Sequence, residues 1–255
     1  MSAARRPLMA GNWKMYKTRP ETRAFFDGFV PLVDGVADRD VLVCPPDLCL
    51  EAAVSAAAGT AIAVGAQTMH FADEGAYTGE TAPGMLVELG VTHVVLGHSE
   101  RRQYFAENDA DLARKVRAAL DHGLVPVLCV GESLDEREAG RTEEKIGGQA
   151  DAGLAEVRPA ELAVMAVAYE PIWAIGPGRT ATPEVAQETI AALRARVRAR
   201  FGDAADGLRI LYGGSVKPDN IDVLMSQPDI AGVLVGGASL DPEGFARIVR
   251  FAEPS

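Results

Sequence analysis

Eight short apolar segments recur along the chain at intervals of about 30 residues, and most of them end in Gly, Pro or a polar residue. Continuous apolar segments of this length are typical of β-strands buried on both faces, as in a parallel sheet covered by helices. The segments are Leu8–Ala10, Val41–Cys44, Ala61–Val64, His93–Leu96, Val125–Val130, Val164–Ala168, Arg209–Leu211 and Ile230–Val235. The pattern therefore predicts a parallel sheet of eight strands.

Helix start signals lie between these apolar segments. Thr18 with Glu21 three residues later forms a capping box, and Asn108 and Thr182 are side chains that commonly cap helices. Strand–helix alternation repeated eight times, with no linker or change in composition, favours closure into one (β/α)8 barrel over residues 5–252. A doubly wound open sheet is the alternative fold.

The composition excludes several classes of protein. The 255 residues include 25 basic and 36 acidic side chains, for a net charge of −11, and 48% are hydrophobic. Nucleic acids and anionic membranes require a basic face, so neither is expected as a partner.

Cys44, Cys49 and Cys129 predict buried thiols instead of disulfides or a metal site. No segment approaches the ~20 apolar residues of a membrane span, and we expect a cytoplasmic protein.

Polar side chains follow three of the predicted strands, where the active sites of barrels lie. Asn12 and Lys14 come after the first strand, His98 and Glu100 after the fourth, and Glu170 after the sixth. A partly desolvated carboxylate can act as a general base, and a histidine at a strand end favours catalysis. The structural alternatives are a surface lysine, a hydrogen-bonded core histidine and a carboxylate paired with an arginine.

The segment 171–179 has the composition of a hinged lid. It begins with Pro171, its tip is apolar, and Gly176 and Gly178 flank Pro177. Such a segment can close over a site and exclude water.

Paired glycines follow the last two strands, at Gly213-Gly214 and Gly236-Gly237. Bare backbone amides can approach an oxyanion closely, and a helical turn starting near Ala238 would add free N–H groups. These turns predict a phosphate site, with ordinary glycine-rich turn geometry as the alternative.

Five segments in this order resemble triosephosphate isomerase over essentially the whole chain. The resemblance implies a TIM barrel that interconverts dihydroxyacetone phosphate and D-glyceraldehyde 3-phosphate through an enediolate, as in glycolysis and gluconeogenesis, with no metal or organic cofactor. The segments are Ala10–Met15, Gly97–Arg102, Ala168–Gly176, Tyr212–Val216 and Val235–Leu240.

The resemblance also implies roles for the chemical groups. Glu170 is similar to the base that moves the proton between two carbons. His98 resembles the neutral imidazole that polarises the carbonyl. Asn12 and Lys14 resemble the oxyanion contacts, and Glu100 resembles the carboxylate that pairs with the lysine.

The substrate phosphate has its own implied contacts. By resemblance, the amides of Gly176, Ser215, Gly236 and Gly237 donate hydrogen bonds to it. Tyr212 and Ser215 resemble the latch that holds the lid closed.

The resemblance further implies a homodimer. The long loop 68–81 reaches into the partner subunit in this family, and Thr78 would lie near Asn12 of the partner subunit.

Three residues depart from the family pattern. Thr68 replaces the usual Asn at the base of this loop, Pro177 replaces a common Thr in the lid, and Ile172 replaces the usual Val.

Two other functions remain open on the residues alone. A Schiff-base aldolase requires a lysine inside an apolar strand, and Lys14 lies only just beyond one. A sugar-phosphate binding protein without catalysis would have no need for the combination of Glu170, His98 and Lys14.

Overall fold

The eight predicted strands form a closed parallel barrel in which each strand pairs with the next and β8 pairs with β1. The computed structural model describes residues 5–175 and 180–252. The (β/α)8 prediction is confirmed, and the open doubly wound alternative is wrong. The strands are β1 Leu8–Asn12, β2 Asp40–Cys44, β3 Ile62–Ala66, β4 His93–Leu96, β5 Val125–Val130, β6 Ala166–Tyr169, β7 Arg209–Tyr212 and β8 Gly232–Val235.

Helices surround the barrel, and in the described ranges none of them is long and apolar enough to cross a membrane. The α-helices are α1 Arg19–Val33, α2 Leu50–Ala57, α3 Pro83–Leu89, α4 Ser99–Tyr104, α5 Asp109–Asp121, α6 Leu134–Glu138, α7 Thr142–Gly153, α8 Pro183–Phe201, α9 Ile221–Met225 and α10 Pro242–Val249. Short 3-10 segments cover Asp47–Cys49, Pro159–Val164, Ile172–Ala174, Gly202–Gly207 and Gly237–Ser239.

The predicted caps begin the helices that they were assigned to. The Thr18 backbone N–H donates to Glu21 Oε2 at 2.7 Å before α1. Asn108 Oδ1 accepts from the Asp111 N–H at 3.0 Å, and the Thr182 hydroxyl caps α8. These contacts satisfy N–H groups that have no partner within the helix.

The start of β6 shows why a predicted strand boundary can fail. The apolar segment that begins at Val164 enters the sheet only at Ala166. Val164 belongs to a 3-10 turn and is 52% exposed, so its apolar side chain does not mark a buried strand position. The strands β4 and β5 keep their predicted bounds, and the ends of the remaining strands shift by at most two residues, as expected where strands fray into loops.

Alternation along the strands directs the functional side chains. One apolar cluster fills the inside of the barrel, and a second lies between the sheet and the helices. Because side chains alternate between the two faces of a strand, Asn12 and Glu170 continue the inward series that ends at Ala10 and Ala168. The inner cluster contains Leu8, Ala10, Leu42, Cys44, Val95, Val127, Cys129, Ala166, Ala168, Leu211 and Leu234.

The three cysteines are buried free thiols, as predicted. Burial raises the pKa of Cys44 to about 12, which keeps this thiol protonated and unreactive. Cys129 lies on β5, and burial likewise raises its pKa.

Candidate active site

A cavity of about 580 Å³ opens at the carboxyl ends of the strands. It brings together side chains that are far apart in the sequence, because the strand ends of a closed parallel barrel meet at one rim. Gly176, a predicted phosphate contact, lies outside the described residues. The predicted site residues that line the cavity are Asn12, Lys14, His98, Glu170, Ser215, Gly236 and Gly237.

Glu170 is the most deeply buried of the predicted catalytic side chains, with 2% of its surface exposed. Its Oε1 lies 2.9 Å from His98 Nε2, and its Oε2 accepts a hydrogen bond from the Ser99 backbone N–H at 3.0 Å. Burial by itself raises the pKa of Glu170, but His98 and the Ser99 N–H outweigh burial and lower it. The carboxylate is therefore ionised and able to accept a proton.

His98 occupies the N-cap of α4, directly beyond β4. Its Nδ1 accepts the Glu100 backbone N–H at 3.3 Å, which assigns the ring proton of the neutral form to Nε2, facing Glu170. Burial lowers the pKa of His98, but the Glu170 carboxylate outweighs burial and raises it above its ordinary value of 6.5. The neutral imidazole therefore directs its Nε2–H towards the Glu170 carboxylate.

Lys14 has an unusual backbone conformation, with φ at 53°. A residue with a side chain is held in this region at a cost of about 1–3 kcal/mol only when its surroundings impose it. Asn12 Oδ1 accepts from the Lys14 N–H at 3.0 Å, and Gln67 Nε2 donates to the Lys14 carbonyl at 2.8 Å. Gln67 was not predicted from the sequence, although it directly follows β3 and the strand-end rule applies to it.

Glu100 links the lysine and the histidine. Its Oε1 lies 2.6 Å from Lys14 Nζ, and its Oε2 lies 3.5 Å from His98 Nδ1. Lys14, Glu100, His98 and Glu170 therefore form one continuous series of ionisable groups around the cavity. The expected pairing of Glu100 with the lysine is present.

The glycine turns bring bare backbone against the same groups. A Cβ on Gly236 would lie 3.4 Å from Lys14 Cε, and a Cβ on Gly213 would lie 2.9 Å from Glu170 Cγ. The turn after β8 is a 3-10 segment that starts at Gly237, so its first N–H groups have no acceptor within the turn. A side chain on Gly213 would displace Glu170 and one on Gly236 would press against Lys14, so glycine at both positions leaves these two groups in place.

A family model described as triosephosphate isomerase matches residues 7–252. The chain belongs to the triosephosphate isomerase family. It is 56% identical over 248 residues to the triosephosphate isomerase of Solibacter usitatus, covering 97% of this chain and 100% of the relative. Its identity to the enzyme of Clostridium novyi is 54% over 248 residues, covering 97% of this chain and 99% of the relative. The protein is accordingly an isomerase, as the resemblance of the strand-end segments implied.

The fold of the family agrees with the barrel described above. The crystal structure of triosephosphate isomerase from Bartonella henselae superposes with a TM-score of 0.87 at 38% sequence identity. The superposition covers 95% of this chain and 97% of that chain. Among the described residues of this family member, no group of three or more His, Cys, Asp or Glu is placed to hold a metal ion.

Glu132, a residue that the sequence analysis did not single out, holds the start of the predicted lid segment 171–179. Glu132 is fully buried, and its Oε1 accepts hydrogen bonds from Trp173 Nε1 at 2.8 Å and the Tyr169 hydroxyl at 3.0 Å. Its position directly after β5 and Gly131 was the available signal. Pro177, at the predicted lid tip, lies outside the described residues.

Tyr212 is the last residue of β7, whereas the sequence predicted that it would directly follow the strand. Its hydroxyl is buried and has no hydrogen-bond partner among the residues that the structure describes. Burial raises the pKa of Tyr212 to about 12, so the hydroxyl remains protonated and can donate. A buried hydroxyl that lacks a partner costs about 1–3 kcal/mol.

None of the three predicted supporting residues, Glu100, Tyr212 and Thr78, lines the catalytic cavity, and Thr78 also makes none of the contacts with its residues described above. It is exposed on the loop between β3 and α3. Of the residues that depart from the family pattern, Thr68 lies with its hydroxyl 3.5 Å from Lys115 Nζ, and Ile172 opens the 3-10 segment after β6.

Proposed function

We propose that this isomerase interconverts dihydroxyacetone phosphate and D-glyceraldehyde 3-phosphate through an enediolate, with Glu170 as the base. The observation that carries this proposal is the buried contact of 2.9 Å between the Glu170 carboxylate and His98 Nε2. It joins an ionised base to a hydrogen-bond donor in one cavity beside an ammonium group. Proton abstraction next to a carbonyl requires these three groups.

The reaction begins when the substrate enters between the base and the donor. Glu170 removes a proton from one carbon and returns it to the neighbouring carbon, so no redox cofactor is consumed. Between these two steps, His98 donates its Nε2 proton to the oxygen where negative charge develops and regains a proton from the neighbouring hydroxyl, while Asn12 and Lys14 stabilise the developing charge. Separation of His98 from Glu170 removes the influence that raises the histidine pKa, which favours the neutral imidazole that this step requires.

Main-chain amides would hold the substrate phosphate. Ser215, Gly236 and Gly237 line the cavity beside Lys14, and Gly176 completes the proposed set. Closure of the lid would exclude water and protect the enediolate from loss of phosphate. We assign the partner of the Tyr212 hydroxyl to the closed lid, because the hydroxyl is buried next to the phosphate turn and can donate.

A second cavity, of about 370 Å³, supports the proposal of a homodimer. It opens next to the catalytic cavity and shares Asn12, Lys14 and His98 with it. Met15, which lines it, is 92% exposed, and Leu48, next to the lining residue Asp47, is 87% exposed. Apolar side chains around an open cavity are typical of a protein interface.

The loop that carries Thr78 is the proposed occupant of that cavity in the second copy. In sedimentation at micromolar concentration we expect a dimer for the unmodified protein and a monomer for Thr78→Arg. A monomer without the substitution would contradict the proposed assembly.

The three buried free thiols further support a reducing location, the cytoplasm.

The Schiff-base aldolase is less well supported. Lys14, the lysine nearest to a strand end, is ion-paired to Glu100 at 2.6 Å, which stabilises its charged form and disfavours nucleophilic attack. Borohydride trapping with a triose phosphate distinguishes the two reactions, because only the aldolase would form a covalent adduct.

The decisive experiment is a coupled assay with D-glyceraldehyde 3-phosphate on the unmodified protein and on Glu170→Gln. The substitution preserves shape and removes the base, so kcat should fall on the order of 10²–10⁴-fold or more. Glu188→Gln, an exposed carboxyl on α8, is the matched control and should retain full activity. A loss below about tenfold for Glu170→Gln would refute its role as the general base.

A further inference from the structure

Lys217 lines the catalytic cavity but has no part in the chemistry described above. It lies two residues beyond Ser215 on the loop after β7, and its side chain is exposed. Asn220 fixes this loop from both sides, since its Oδ1 accepts from the Lys217 N–H at 2.8 Å and its Nδ2 donates to the Ser215 carbonyl at 3.0 Å. The lysine therefore extends from the same rigid turn that presents the Ser215 amide.

The charges around the cavity single out this lysine. Apart from the titratable His98, the described residues that line the cavity and carry a full charge at neutral pH are Lys14, Glu170 and Lys217. Glu100 neutralises Lys14 at 2.6 Å, and Glu170 is an anion. Lys217 forms no ion pair with any residue in the described ranges. It is thus the uncompensated cation at the end of the cavity where the glycine turns lie.

The charge of the whole protein makes this position important. The chain carries a net charge of −11, which repels an anionic substrate at long range. Main-chain amides bind a phosphate only at hydrogen-bond distance and contribute little to attraction from solution. An exposed ammonium group acts over the Debye length, which is about 30 Å at 0.01 M ionic strength and about 3 Å at 1 M.

We propose that Lys217 attracts the phosphate dianion of the substrate into the cavity by long-range electrostatics, without a role in the proton transfers. The inference rests on the proposed function, because it takes a triose phosphate as the substrate. One positive charge acting on a dianion across roughly 8 Å of water corresponds to about a three- to fivefold effect on kcat/KM at low salt.

The test measures kcat and kcat/KM for D-glyceraldehyde 3-phosphate at ionic strengths from about 0.01 to 0.5 M. For Lys217→Gln we expect kcat/KM to fall about three- to fivefold at the lowest salt and to approach the unmodified value at the highest, with kcat unchanged. Lys217→Arg should restore kcat/KM because it keeps the charge. Arg23→Gln, which removes an exposed charge on α1, controls for net charge and should have no effect.

Two results would overturn the proposal. One is a Lys217→Gln variant that matches Arg23→Gln at every salt concentration. The other is a loss in kcat that does not change with salt, since that result would indicate direct contact or a structural defect.

The proposed function and this inference can fail separately. If the unmodified protein shows no isomerase activity, the proposed reaction is wrong. Calorimetric titration with inorganic phosphate then still tests Lys217, because its substitution should weaken binding severalfold at low salt and hardly at high salt. Equal affinities for both proteins at low salt would contradict the attraction.

Discussion

Two histidines five residues apart lie at opposite ends of β4 and have opposite electrostatic environments. His93 begins the strand, His98 follows its end, and both are buried, with 9% and 6% of their surfaces exposed. Burial and the charge of Arg209 lower the pKa of His93 to about 4. The pKa of His98 is raised instead, because Glu170 outweighs the effect of burial.

Burial by itself lowers the pKa of both histidines, so the comparison teaches that neighbouring charges decide the direction of the final shift. At the amino end of the barrel, Asp40 pairs with Arg6 at 2.5 Å and with Arg209 at 2.8 Å, and these contacts hold strands together. At the carboxyl end the same kinds of groups surround an open cavity. This division of the barrel into a stabilising end and a reactive end is typical of the fold.

The largest expected effect is the difference in kcat between substitutions of the two histidines. His98→Gln cannot shuttle protons, so we expect kcat to fall by about 10²–10⁴-fold. His93→Gln keeps a buried polar group at the amino end of β4, far from the cavity, and should change kcat less than about twofold because it touches no reacting group. The coupled assay on both variants is the measurement. Comparable losses in the two would break the distinction between the two ends.

We expect a somewhat smaller effect from substitution of Lys14, the ammonium group near His98. Lys14→Ala should lower kcat/KM by about 10²–10³-fold, because it removes charge stabilisation of the oxyanion. It should also raise the pKa of His98 further, since Glu100 would then face the imidazole without its partner. NMR titration of the His98 ring measures this shift. Circular dichroism should remain unchanged, and a loss of the folded signal would favour a purely structural lysine.

The smallest effect is the pH dependence of stability that His93 causes. Its folded-state pKa of about 4 lies below the ordinary value of 6.5, so the unfolded chain binds a proton in this interval that the folded protein does not. The free energy of unfolding should therefore decrease as the pH falls from 6.5 towards 4, by about 2–3 kcal/mol.

His98 and Glu170 affect the free energy of unfolding outside that pH interval. The raised pKa of His98 affects stability only above pH 6.5, and the lowered pKa of Glu170 only below pH 4.5. Urea unfolding of the unmodified protein and His93→Gln between pH 4.5 and 6.5 isolates the contribution of His93. A slope that is the same in both proteins would contradict the low pKa.

Much of the fold was predictable because a parallel barrel requires strands that are apolar on both faces. The runs at His93–Leu96 and Val125–Val130 became strands with unchanged bounds. The prediction failed at Val164, where an apolar residue lies exposed in a 3-10 turn. Burial decides whether an apolar residue joins a strand, and burial depends on neighbours that are distant in the sequence.

The candidate site was predictable to the same extent. The strand-end rule selected Lys14, His98 and Glu170, and the structure brings them to one cavity. Gln67 and Glu132 were missed although both follow strands, because their importance lies in contacts with the Lys14 carbonyl and the Trp173 indole. Such contacts join residues dozens of positions apart and leave no local pattern.

The sequence by itself determined the eight strands, the helix caps and the types of reactive group at the strand ends, because periodicity and capping are local properties. Only the tertiary structure decided how those groups act. Closure of the barrel brought Glu170 to His98 and left Arg209 beside His93, and Coulomb interactions depend on separation in space. Two histidines of the same strand thereby acquired pKa values on opposite sides of 6.5.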